Sequence, residues 1–370
     1  MKQTQTEQIL TQNNFALKKL KGIKPKGVKA RDKTIFESLL EPIDYIMDKH
    51  LHRIDSRIYQ KAQVKDEIDK ELESDILKSV DLTSNDLKNC IYALNIIEKG
   101  QGAWNINQRS LLGIYTGCLL DLWTKRQKED NKRAVFYMNG EGIIFDDLFS
   151  YTKNIDILML DNFKGTGICG LTGTHKGNVN CLITKHIEGL FTAERTGAYA
   201  GNAGLVIASK NKLMNPFGVG GHEGFADIVL MNNCELPDGG QVGNYAGSYK
   251  GNVNMFLSLF NRINYISQDL AHDGSAECIN VDEVLPDTKL HSEDLDLVYS
   301  WSARGKSNEK HNLHNKVFGK KAFQRYQEFI SMFPAMQILD LVEEVGNSTR
   351  SPEDILLEID TLYKQSKLKN

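Results

Sequence analysis

The sequence predicts a mainly β fold with flanking α: a right-handed parallel β-helix of about 24 residues per coil over 134–285, between N-terminal and C-terminal helical regions. Three observations carry that expectation. Glycines recur at Gly177, Gly201, Gly224, Gly251 and Gly274, at intervals of 24, 23, 27 and 23. The first four are each preceded, four residues earlier, by Gly173, Gly197, Gly220 and Gly247. The residues that follow form columns: Val179, Ala203, Ala226, Val253 and Ala276, then Cys181, Leu205, Ile228, Met255 and Cys278, then Ile183, Ile207, Leu230, Leu257 and Asn280, the one polar residue among them. Apolar columns at every second position are the mark of a strand face. One strand per repeat, stacked on its equivalent in the next, makes a parallel solenoid. Right-handedness is taken as the commoner form, supported by the long irregular coils.

The elements follow in order. Residues 1–33 read as a disordered arm, Gln- and Asn-rich and then basic, with Lys18, Lys19, Lys21, Lys24 and Lys26 in its second half. Such an arm can contact phosphates, which makes nucleic acid one partner to consider, although no aromatic residues interleave the lysines. Residues 34–128 read as helical. Leu87, Cys90, Ile91, Leu94 and Ile97 keep a 3.6-residue spacing, and Thr83 with Asp86 fits a helix start. Asp44 to Ser79 alternates charges and reads as a long exposed helix. From Ala134 the runs AVFYMN and IDILML are short and β-rich. Residues 286–370 read as helical again, and Ser351-Pro352-Glu353-Asp354 has the chemistry of a helix start.

The column five after each glycine reads Leu182, Val206, Val229, Phe256 and Ile279. Continuous alternation would put it outside, yet it is wholly apolar. A strand apolar on both faces is normally covered on both. Leu182, Val206, Val229 and Phe256 are therefore expected to form an outer wall covered by the flanking helices or by a second chain. That makes a homo-oligomer or a protein partner at the wall the first binding expectation.

Two before each glycine stand His175, Tyr199, His222, Tyr249 and His272. Rungs are about 4.8 Å apart, so histidines two rungs apart are nearly 10 Å apart and cannot share a metal ion. A stacked file of rings is the expectation, and no metal is called for. Asn178, Asn202 and Asn252 share a column in which amides can stack. Glu194, Asp227 and Asp238, with His222 as an acid/base group, are the weak catalytic candidates, since acids on neighbouring rungs suit glycoside chemistry. No P-loop, HExxH or GxSxG occurs and no GxGxxG run opens a helix, so no cofactor is indicated.

The chain has 370 residues, 41% apolar and 25% charged, with a net charge of −3. That composition gives the whole molecule no strong pull toward nucleic acid or membrane. Six scattered cysteines without a CxxC pair suggest a reducing compartment. The polar N-terminus lacks a signal-peptide core, and the most apolar stretch, Leu111 to Trp123, is too short to span a bilayer and contains Asp121. A cytoplasmic protein without membrane contact is expected.

VGNYAGSYKGNVNMFLS (242–258) and TGAYAGNAGLVIAS (196–209) resemble the glycine-punctuated coils of the β-helix domain of glutamate synthase, and are similar to those in one subunit of formylmethanofuran dehydrogenase. The resemblance covers about 100 residues and departs from those families in its longer period and in lacking the doubled glycine. The overall layout is similar to the scaffold subunits of the SUF iron–sulfur assembly system, which pair through their solenoids. No catalytic or cluster residue carries over. Together these features lean toward a non-enzymatic scaffold or binding protein. The alternatives are a polysaccharide-acting hydrolase or lyase, and nucleic-acid binding through the arm.

Overall fold

The computed structural model describes residues 34–367, apart from 55–57, 79, 102–103, 213–217, 236–240, 243–245, 260–264, 267–274, 282–297, 303–314, 318–326 and 329–330. The basic arm, Asp238, His272 and Gly274 lie outside the described residues.

Among the described residues, five α-helices come first: α1 (Ile35–Leu40), α2 (Pro42–His50), α3 (Ile58–Glu71), α4 (Ser84–Gln101) and α5 (Ile106–Glu129). Their starts are encoded locally. Thr34 with Glu37, and Asn105 with Gln108, make reciprocal capping boxes, and Thr83 Oγ1 accepts from the Asp86 amide at 3.2 Å. The stretch expected as one exposed helix is instead α2, a short turn and α3. Ile46, Ile54, Val64, Ile68 and Leu72 within it are buried. Most of its charges form a solvated face, with Lys65 buried as the exception, while a sparse apolar stripe is enough to dock it. Helix α5 is buried on all sides from Ser110 to Leu120 and packs on the first coil of the solenoid. Two glycines permit that approach. A Cβ on Gly113 would stand 2.1 Å from the Asp147 carbonyl oxygen, and one on Gly117 would stand 2.4 Å from that of Ser150. Close backbone packing offsets the weaker helix propensity of glycine here.

Strands β1 (Val135–Asn139), β2 (Asn154–Asp161), β3 (Asn178–Lys185), β4 (Asn202–Ser209), β5 (Phe225–Asn232), β7 (Asn252–Leu259) and β9 (Ser275–Val281) stack in parallel as a β-solenoid of about 24 residues per coil. A small parallel pair, β6 (Gln241–Val242) and β8 (Tyr265–Ile266), stands beside them. The register Asn178↔Asn202↔Phe225↔Asn252 puts Gly177, Gly201, Gly224 and Gly251 in one file. A Cβ on Gly201 would meet the Gly173 carbonyl oxygen at 1.8 Å, and one on Gly224 that of Gly197 at 2.0 Å. The two glycines of each repeat are therefore one device: the second lets its rung close over the first of the rung before. Phe225 interrupts the asparagine file between Asn202 and Asn252.

The expected facing of the columns needs correction. Val179, Leu182, Ala203, Val206, Ala226, Val229, Val253 and Phe256 belong to one core, together with Ile187, Ala193 and Cys234 from the other sides of the coils. Cys181, Ile183, Leu205, Ile207, Ile228, Leu230, Met255 and Leu257 belong to a second core with the C-terminal helices. Leu182, Val206, Val229 and Phe256 thus line the solenoid interior. The apolar outer wall is the column pair on either side of them. The ladder pairs Val179 with Ala203 and then Cys181 with Leu205, passing over Asn180 and Gly204. The strand bends there, Asn180 and Cys181 both face outward, and the alternation resumes one residue out of phase. Period-2 counting holds only within an unbroken pleat.

The wall is covered by the chain itself, through α6 (Ala335–Glu344) and α7 (Pro352–Lys367). Ile338, Leu339, Val342, Ile355, Leu356, Ile359 and Tyr363 pack on it. Each fully buried side chain of that size stabilises by about 1.5–3 kcal/mol. Polar contacts help fix the cover. Lys185 Nζ donates to the Val342 and Glu343 carbonyls at 3.1 and 3.3 Å. Asp360 accepts from Arg133 and Asn180, both at 2.8 Å. Asp227 accepts from the Tyr363 hydroxyl at 2.7 Å. Helix α7 starts as expected, with Ser351 Oγ accepting from the Asp354 amide at 3.1 Å.

The C-terminal region is not wholly helical. Strands β10 (Val298–Ser302) and β11 (Asn315–Val317) extend the sheet antiparallel beyond β9. They pair with the edge that the last coil would otherwise leave open. Strand β9 also slips: Phe256, not Met255, pairs with Cys278, because β9 passes the bend with one residue fewer.

Candidate functional site: the ring file and the acids

The four residues His175, Tyr199, His222 and Tyr249 share one backbone geometry, with φ of 51°, 52°, 52° and 52°. Left-handed φ costs a non-glycine residue roughly 1–2 kcal/mol. Hydrogen bonds between rungs offset it: His175 donates its amide to the Tyr199 carbonyl at 3.1 Å, and His222 donates to that of Ser248 at 2.9 Å. Identical backbones aim the rings alike. Successive centroids lie 5.5, 4.6 and 4.4 Å apart, with planes within 13°, 11° and 10° of parallel.

One ring beside the file was not legible from the sequence. Tyr59 comes from α3 and approaches His175 and Tyr199 at 6.1 and 6.3 Å. No local pattern in a helix announces such a contact. The file is accessible along one edge: Tyr249 is 42% exposed and Tyr59 66%.

Burial pushes the His175 imidazole below its ordinary pKa, with Lys153 adding to the effect. Burial and then Arg195 do the same for His222. Burial pushes the Tyr199 hydroxyl up. The imidazoles of the file are consequently neutral at pH 7, and the file presents hydrogen-bonding edges without charge.

The candidate acids do not converge. Glu194 lies on the ring side of the coil, 3.4 Å from Arg195 Nε, and burial pushes its carboxyl up. Asp227 lies on the covered wall, where it accepts from Tyr363, from Lys367 Nζ at 2.9 Å and from Asn254 Nδ2 at 2.7 Å. That aspartate ties down α7. His222 is held between Tyr199 and Tyr249 in the ring file. The described cysteines Cys90, Cys118, Cys169, Cys181 and Cys234 are all buried. Burial pushes the thiol of Cys90 up to about 12 and raises those of Cys169 and Cys181 further. Thiols so protonated are poor nucleophiles. His186, five residues after Cys181, is 2.9 Å from Asp161.

A cleft of about 460 Å³ opens beside Asp121, but the acid there is committed to structure. Asp121 accepts from Lys65 Nζ and from the amides of Lys153 and Asn154, at 2.9 and 2.6 Å for the two amides. It joins α5 to the turn before β2. Among the described residues no helix is long and apolar enough to cross a membrane.

No protein-family model, no curated protein and no solved structure matches this chain. The resemblance to glycine-punctuated β-helix domains therefore rests on the residues quoted for it, and the functional argument on the geometry above.

Proposed function

We propose that this protein is a non-catalytic binding scaffold that meets a protein partner along the ring-bearing corner of its solenoid. The observation that carries this reading is the file itself: four rings on successive rungs, accessible along one edge and flanked by the exposed Tyr59. Rigid tyrosines bring large contact area at low entropic cost, which is why they recur as anchors at interfaces. The outer wall first considered for self-association supports this role less, because α6 and α7 already occupy it. A polymer-cleaving site is supported less too, since Glu194 and Asp227 serve different faces.

The test is affinity capture from the source organism's extract with the wild-type chain and with Tyr59→Ala/Tyr249→Ala, read by mass spectrometry. Both tyrosines are exposed, so the double variant keeps the fold. The reading expects a discrete set of proteins that the variant loses. An identical set with both chains refutes the ring file as the interface.

A further inference from the structure

At the N-terminal end of the file, α3 and the coil before β3 leave a cleft of about 220 Å³. Its walls include the rings of Tyr59, Tyr151 and His175. We propose that this cleft binds one small, uncharged, planar heterocycle of the nucleobase class, which stacks on Tyr59 and hydrogen-bonds in its plane to His175 Nε2. This site shares Tyr59 and His175 with the ring file, but its binding is read on the chain alone and does not rest on the partner reading.

Three observations converge. His175 Nε2 is buried and has no hydrogen-bond partner among the described residues. A buried polar nitrogen left unpaired is costly, so the site favours a ligand that supplies the missing group. The charges at the cleft are already answered by one another. Lys153 Nζ is 2.5 Å from Asp66 Oδ1, and Lys65 is committed to Asp69 and Asp121. An ionic ligand would gain little and would disturb those pairs. The volume is below the range of drug-sized sites and suits a single or fused ring. An aromatic platform combined with in-plane hydrogen bonding is how proteins hold isolated bases.

The test is nuclear magnetic resonance of the full chain with ¹⁵N-labelled histidine at pH 7.5, titrated separately with adenine, uracil and toluene. His175→Phe, which keeps a stacking ring, assigns the His175 signals by their loss. The expected result is a saturable shift of the His175 Nε2 resonance with adenine or uracil, little change at His222, and none with toluene. Tyr59→Ala, a change at an exposed position, weakens that binding roughly tenfold to a hundredfold, the range that stacking of one base on one ring covers. No His175 shift with either base up to its solubility overturns the proposal. So does an equal response to toluene, or an affinity unchanged in Tyr59→Ala.

Discussion

Lys185→Met removes the charge that fastens the C-terminal cover while keeping a stem of similar size. Lys185 is fully buried on the outer face of β3. Its ammonium donates to the carbonyls of Val342 and Glu343 at 3.1 and 3.3 Å and lies 3.5 Å from Glu343 Oε2. Those carbonyls end α6, so a lysine from the solenoid helps cap the helix C-terminus, with Asn347 Nδ2 also donating to the Glu343 carbonyl at 2.8 Å. Glu343 is not stranded by the change, because Ser209 Oγ and Lys210 Nζ still reach it at 3.1 and 2.7 Å. Charge-assisted bonds are worth about 1.5–3 kcal/mol each, and losing the ammonium also removes its own burial cost. The net loss of cover stability is about 2–3 kcal/mol, which raises the open population roughly 30- to 150-fold. Hydrogen–deuterium exchange with peptide resolution reads this directly. Peptides covering 335–344 and 352–367 exchange faster by that factor, while those covering 154–161 do not. Unchanged exchange in the cover, or equal acceleration in the coils, refutes Lys185 as the fastener.

Three further outcomes follow from the geometry. Gly201→Ala abolishes soluble folded protein, because its Cβ would stand 1.8 Å from a carbonyl oxygen; Gly142→Ala, at φ 78° with its nearest neighbour 4.0 Å away, costs only about 1–2 kcal/mol in chemical denaturation. Burial leads the lowering of the pKa of His50, His175 and His222 from their usual 6.5, so the unfolded chain binds more protons than the native one as pH falls through and below that value. Thermal midpoints are therefore highest above pH 6.5 and fall on acidification, and His50→Asn flattens the slope. Tyr363→Phe removes the hydrogen bond to Asp227 but keeps the ring on the wall, so it costs about 1 kcal/mol, read as a small loss of protection confined to α7.

The solenoid was legible because its repeat is a backbone requirement written in residue type. Only glycine allows one rung to close over another at Gly201 and Gly224, so the spacing of glycines reports the coil length. The ring file was legible for the same reason: equal offsets from the glycine mean equal backbone geometry. The marker is absent from the first coil, where the chain passes from Thr152 to Lys153 without the four residues that carry a file ring in later coils.

Chain order alone fixed the coil period, the strand columns, the helix starts at Thr83 and Ser351, and the stacking of His175, Tyr199, His222 and Tyr249. These depend on local backbone geometry repeated along the chain. Tertiary structure alone decided which apolar column faces inward, because one bend at Asn180 reverses every later parity and leaves no trace in residue type. It also decided that α6 and α7 seal the wall, that Asp227 serves Tyr363 rather than Glu194, and that Tyr59 meets the ring file. Those contacts join residues far apart in the chain, and no local pattern specifies which distant partner a buried side chain will find.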